Sequence, residues 1–142
     1  MSQGANMRKM RIALADNASV ELSLAKECVE ENGYCWWGTG DNATMASEII
    51  VRTHKDSKQF HGIMEVSELV DAASISQSDF ISNRPKNTPH FPSEKTKTQY
   101  YKVVSINLEI IPRERVLFAR TEQKLTHYQL YPNIQVILTN DD

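Results

Sequence analysis

Three features of the sequence predict a small α+β domain, a strongly bent sheet or barrel with short helices at its ends. Short segments alternate apolar and polar residues around positions 10–15, 47–54, 59–66, 100–111 and 134–139. One stretch, residues 20–31, repeats its apolar residues at helical spacing. Long cross-connections separate several of these pieces, which suits a sheet that bends round on itself.

The elements follow in order. Residues 1–9 are expected to be a disordered leader, ahead of a single domain over residues 10–142. In residues 10–15, Ile12 and Leu14 alternate with Arg11 and Ala13, the pattern of a strand. Asp16, Asn17 and Ser19 are helix-capping types and precede the helix of residues 20–31. There Val20, Leu24 and Cys28 recur every four residues, with Ala25 and Val29 beside them, as one apolar face. Asn32-Gly33 ends the helix, since glycine suits the left-handed cap position. Residues 34–42 hold both tryptophans, Trp36 and Trp37, ahead of a turn-rich tail.

Residues 47–54 form a β-branched strand, 55–58 a charged turn, and 59–66 the returning strand of a hairpin. Phe60, Ile63 or Met64, and Val66 are its core candidates. Residues 66–81 fit either a short helix or an irregular connection. Residues 82–98 carry Pro85, Pro89 and Pro92 and predict a long loop. Residues 100–111 are a long strand stopped by Pro112. Residues 116–118 fit a short helix or strand, 121–131 a loop or helical turn, and 134–139 the last strand.

The chain has 142 residues and a mass of 16.2 kDa, the size of one domain. Hydrophobic residues make up 40% and charged residues 24%, which excludes a disordered chain. A net charge of −2 excludes a strongly basic, histone-like binder. Two cysteines, Cys28 and Cys35, cannot make a disulfide scaffold and read as reduced thiols of a cytoplasmic protein. No apolar run approaches the roughly 20 residues that span a bilayer, so no membrane partner is expected.

Few motifs carry chemistry. His54, His61, His90 and His127 show no metal-ligand spacing, and no phosphate-loop or nucleophile-elbow motif is present, so neither a metal nor a cofactor is expected. Two adjacent tryptophans on an extended segment face opposite ways. Residues 82–102 concentrate Arg84, Lys86, Lys95, Lys97 and Lys102 against one acid, Glu94.

The order of pieces resembles the PUA-like superfamily, and within it the EVE-type domain. The residues that carry the resemblance are Glu48-Ile-Ile-Val-Arg52, the turn Lys55-Asp-Ser-Lys58, and Phe60-His-Gly-Ile-Met-Glu-Val66. Tyr100-Tyr-Lys-Val-Val-Ser-Ile106 and Ile111-Pro-Arg-Glu-Arg-Val116 continue it, over roughly residues 10–139. The resemblance implies a small curved β-barrel with short flanking helices. It also implies a pocket beside the first helix that takes an extruded, often modified, base.

On that reading the chain is a binding module for nucleic acid, DNA or RNA. Trp36 and Trp37 supply stacking surfaces. Tyr34, Asn17 and Ser19 contact the base edge. Arg84, Lys86, Lys95 and Lys97 contact the phosphates. Two other classes remain open: a small nucleic-acid-acting hydrolase using His61 and Glu65, and an accessory domain whose loop binds a protein. An aromatic-walled pocket almost free of titratable groups points to the first class, and titratable groups converging in one cleft to an enzyme.

Overall fold

Strand β1 (Arg8–Ala15) and helix α1 (Ala18–Asn32) open the fold. The computed structural model describes residues 8–40, 43–85, 88–126 and 132–139. Arg8 and Lys9 pair with Leu138 and Ile137, so the domain starts ahead of Met10 and the leader does not reach residue 9. At the start of α1 the Asn17 side chain accepts from the Val20 amide at 3.3 Å, and Glu21 accepts from the Asn17 amide at 2.9 Å. Together they satisfy amides that have no partner inside the helix. Gly33, at φ 92°, closes the other end with its amide on the Val29 carbonyl at 2.8 Å.

The buried face of α1 is Ala18, Leu22, Ala25 and Cys28, whereas Val20 is exposed. The expected face of Val20, Leu24 and Cys28 is therefore rotated from the real one. Repeated steps of four overshoot a 3.6-residue turn by about 40° each, so a straight stripe must mix steps of three and four. Ala18, Leu22, Ala25 and Cys28 do that, with one step of four and two of three.

The remaining strands are β2 (Cys35–Thr39), β3 (Glu48–Thr53), β4 (Gln59–Asp71), β5 (Gln99–Pro112), β6 (Val116–Phe118) and β7 (Gln135–Leu138). They form one seven-stranded sheet in the order β2-β5-β4-β3-β1-β7-β6. Among the described strands only β1 and β3 run parallel, joined by a crossover that carries α1 and β2. The hairpin β3–β4 is antiparallel with Ile50 opposite Ile63, as its charged turn predicts. The fold is thus mixed α+β, but the sheet does not close into the expected barrel. β2 and β6 remain its two edges.

Alternation, shifted in β4 by an irregularity between Phe60 and Gly62, builds two cores. Ile49, Val51, Met64 and Val66 point to the face that α1 covers, joined by Trp37, Tyr101 and Val103. Ile12, Ile50, Phe60 and Ile63 point to the other face and pack with Val116, Leu125, Ile134 and Val136. Both Ile63 and Met64 are buried, because each face of β4 is covered. The ambiguous segment 66–81 proves to be three pieces. β4 runs on to Asp71, a 3-10 turn spans Ala72–Ser74, and helix α2 covers Gln77–Ser82. Phe80 of α2 closes a third cluster with Trp36, Ile75 and Tyr100. Residues 83–98 carry no helix or strand where described, and Phe91 anchors them in the α1-side core. Residues 127–131 of the expected 121–131 connection lie outside the described residues.

Candidate functional site: an aromatic cavity

A cavity of about 340 Å³ is lined by residues of both β1 and β2, which stand four places apart in the strand order. Its walls include Trp36 and Trp37 of β2, Tyr100 and Tyr101 of β5, Phe80 of α2 and Phe91 of the long loop. The alternation of β2 sends Trp36 to the α2 side and Trp37 to the α1 side. Both rings are 95% shielded and still border the cavity.

Each ring is held in place. The Trp36 indole Nε1 donates to Asp79 at 3.2 Å, and its amide donates to the Asn83 carbonyl at 3.0 Å. Trp37 meets Phe91 edge-on at 5.9 Å, and Phe80 meets Tyr100 at 5.2 Å. Such edge-to-face pairs add about 0.5–1.5 kcal/mol beyond area burial. The Tyr101 hydroxyl donates to the Thr44 carbonyl at 2.9 Å, and burial pushes its phenol pKa up. Gly38 is required where Lys97 crosses β2, since a Cβ there would lie 2.7 Å from the Lys97 Cγ.

Charged side chains also line the cavity. Asp16 and Glu21 come from the start of α1, His54 from the end of β3, and Arg84, His90 and Lys97 from the loop. Two carboxylate–imidazole pairs form among them, His54–Asp16 at 3.6 Å and His90–Glu21 at 3.8 Å. The cavity therefore combines an aromatic wall with titratable groups, and neither sequence criterion alone describes it.

Trp36 and Trp37 line the cavity. Tyr34, Asn17 and Ser19 do not. Tyr34 donates to Asp79 at 2.7 Å and lies under the Lys102 ammonium, 4.4 Å from its ring centre. Asn17 is occupied as the helix cap. Ser19 turns to the β3–β4 hairpin, its Oγ 3.0 Å from His61 Nδ1. Of the loop cations, Arg84 and Lys97 reach the cavity, and Arg84 Nη1 also donates to the Pro85 and Phe91 carbonyls at 2.8 and 2.9 Å. Lys95 points inward, its ammonium on the Ala72 and Ile75 carbonyls of the 3-10 turn. Lys86 lies outside the described residues.

Sequence reasoning missed Phe80, Phe91, Tyr100, Tyr101 and the two carboxylate–imidazole pairs as wall residues. The doubled Tyr100-Tyr101 was the available signal, since adjacent strand residues serve both faces. Among the described residues no three His, Cys, Asp or Glu side chains assemble to hold a metal ion. No helix among the described residues is long and apolar enough to cross a membrane. Compared with protein-family models, curated proteins and solved structures, the chain matches none.

Proposed function

We propose that this chain is a binding module that takes a flat aromatic ring, a nucleobase extruded from a nucleic acid, into the β1–β2 cavity. The observation that carries this reading is six aromatic side chains around about 340 Å³. That volume is at the small end of ligand pockets, roughly 300–1,000 Å³, and suits one ring rather than an extended molecule. Stacking on an aromatic wall contributes about 1–3 kcal/mol per base, enough to hold one extruded base. The arginine and lysine of the loop, Arg84 and Lys97, border the same cavity, where a phosphate backbone would pass. The resemblance of residues 10–139 to EVE-type domains of the PUA-like superfamily supports the same ligand class.

The two tryptophans of the sequence both border the cavity, so intrinsic fluorescence reports its occupancy directly. A panel of single-stranded oligonucleotides with modified and unmodified bases, titrated at two salt concentrations, tests the proposal. The expected result is saturable quenching that weakens as salt rises. Lys97→Ala should lower affinity for every sequence alike and reduce the salt slope by about one. This variant is preferable to a tryptophan truncation, because removing a buried tryptophan costs the fold about 3–5 kcal/mol. No saturable quenching by any oligonucleotide at low salt refutes the proposal.

A further inference from the structure

A second group of side chains lies outside the cavity, where the start of α1 meets the β3–β4 hairpin. Ser19 Oγ is 3.0 Å from His61 Nδ1, and His61 Nε2 is 3.0 Å from Asp56 Oδ2. We propose that Ser19, His61 and Asp56 form a nucleophilic acyl-transfer site for small carboxylic esters, with Ser19 as the nucleophile.

The chemistry follows from the order of the bonds. The Lys58 amide donates to Asp56 Oδ1 at 3.0 Å, which leaves Oδ2 for the imidazole. Burial alone would raise the Asp56 carboxyl. The amide of Lys58 and the bond from His61, with further help from the Gln59 amide, outweigh it and hold the pKa below its ordinary value. An ionised carboxylate only accepts, so Nε2 carries a proton, and in the neutral imidazole Nδ1 then presents a lone pair. The Ser19 hydroxyl then donates to Nδ1, the arrangement in which a histidine can take the proton of a serine.

Accessibility is graded in the useful direction. The His61 side chain keeps only 12% of its surface exposed, whereas Ser19 is open to solvent. Ser19 is also the second residue of a 15-residue helix, where the positive end of the dipole favours a developing oxyanion.

The three groups are held by a built support. Arg52, only 8% exposed, donates through Nη1 to the carbonyls of Thr53, His54 and Asp56 at 2.9, 3.0 and 3.0 Å and so shapes the turn. The turn is fastened to the β1–α1 junction by the Ala18 amide on Thr53 Oγ1 at 2.9 Å and the His54 amide on the Ala15 carbonyl at 3.1 Å. Supporting bonds of this kind keep a catalytic group within the narrow geometry it needs. Ser19 does not line the aromatic cavity, and its solvent-open position suits a small, unhindered acyl group.

In the step itself, Ser19 Oγ bonds to the ester carbonyl carbon as its proton passes to His61 Nδ1. The carbon–oxygen bond to the alcohol breaks, and that proton leaves with the alkoxide. Water, deprotonated by His61, then attacks the acyl-serine; the acyl carbon–Oγ bond breaks as His61 returns that proton to Ser19 Oγ, releasing the carboxylic acid. Asp56 acts through His61 and is a positioning residue.

The test uses the full chain with a biotinylated fluorophosphonate and, separately, p-nitrophenyl acetate. One adduct should form, mapped to Ser19 by mass spectrometry. Ser19→Ala should abolish it, and His61→Gln should slow it by roughly a hundredfold or more. Asp56→Asn should slow labelling and Asp56→Glu should recover part of the rate, with thermal melts confirming that each variant folds. In Ser19→Cys, iodoacetamide should alkylate position 19 faster than a free thiol, and His61→Gln in that background should remove the advantage. The proposal is overturned if folded protein labels at Ser19 no faster than urea-unfolded chain. It is equally overturned if Ser19→Ala changes only the melting temperature and leaves ester hydrolysis intact.

Discussion

Gly62→Ala should destabilise the fold, for a reason local to one point in the sheet. Gly62 pairs with Val51 on β3 and Leu108 on β5, beside a register shift in the β4–β5 ladder. A Cβ on Gly62 would lie 2.8 Å from the Asn107 carbonyl oxygen and 3.0 Å from the Leu22 Cδ1 of α1. The first distance is about 0.6 Å short of ordinary contact, and a backbone oxygen in a ladder cannot yield without stretching hydrogen bonds. Overpacking of this kind costs about 1–3 kcal/mol. Replacing glycine also removes freedom from the unfolded chain, which returns about 0.4–1 kcal/mol. The net loss is about 1–2 kcal/mol, or a fall in Tm of about 3–8 °C for a domain of this size.

Differential scanning calorimetry and urea midpoints measure it. Gly40→Ala is the control, since a Cβ there meets nothing within 4 Å and should be neutral or slightly stabilising. Combining Gly62→Ala with Leu22→Ala should cost less than the sum of the two, because one of the two close contacts disappears. If Gly62→Ala melts no lower than Gly40→Ala, the close-approach argument is wrong.

Two further outcomes follow from other positions. Gly33→Ala, at φ 92°, should cost about 1–2 kcal/mol, read as a lowered urea midpoint, and Gly33→Asn should recover part of it. Asp79 receives Tyr34, Trp36 and Asn83; burial would raise its carboxyl, but these bonds and the nearby Lys102 ammonium hold it below its ordinary value of 3.8. A lowered pKa stabilises above the unfolded value and loses that contribution as pH falls through the folded one. Stability should therefore decline from about pH 5 to about pH 3, and Asp79→Asn should flatten that decline in a series of urea melts.

Local order was legible in the residues themselves. The cap of α1 at Asn17, its stop at Gly33, the charged turn at 55–58 and the alternation of β3 and β4 each depend on neighbours a few positions away. That Trp36 and Trp37 face opposite sides follows from strand geometry alone, and the two distinct clusters agree. The long loop of 83–98 announced itself through its prolines, but its inward anchors did not. Lys95 reads as a surface cation until the carbonyls of the 3-10 turn are in place to receive it.

What only the tertiary structure decided is which residues meet at long range. Among the described strands the sheet stays open because β2 pairs only with β5 and β6 only with β7, a matter of strand order that no local pattern encodes. The cavity draws Trp37 and Phe91 together across 54 positions of chain, and outside it the packing of α1 on the β3–β4 hairpin joins Ser19 and His61 across 42. Alternation says which face a residue takes. It does not say what stands opposite, because that depends on how the whole chain closes its loops, and closure entropy is nearly blind to which side chains it brings together.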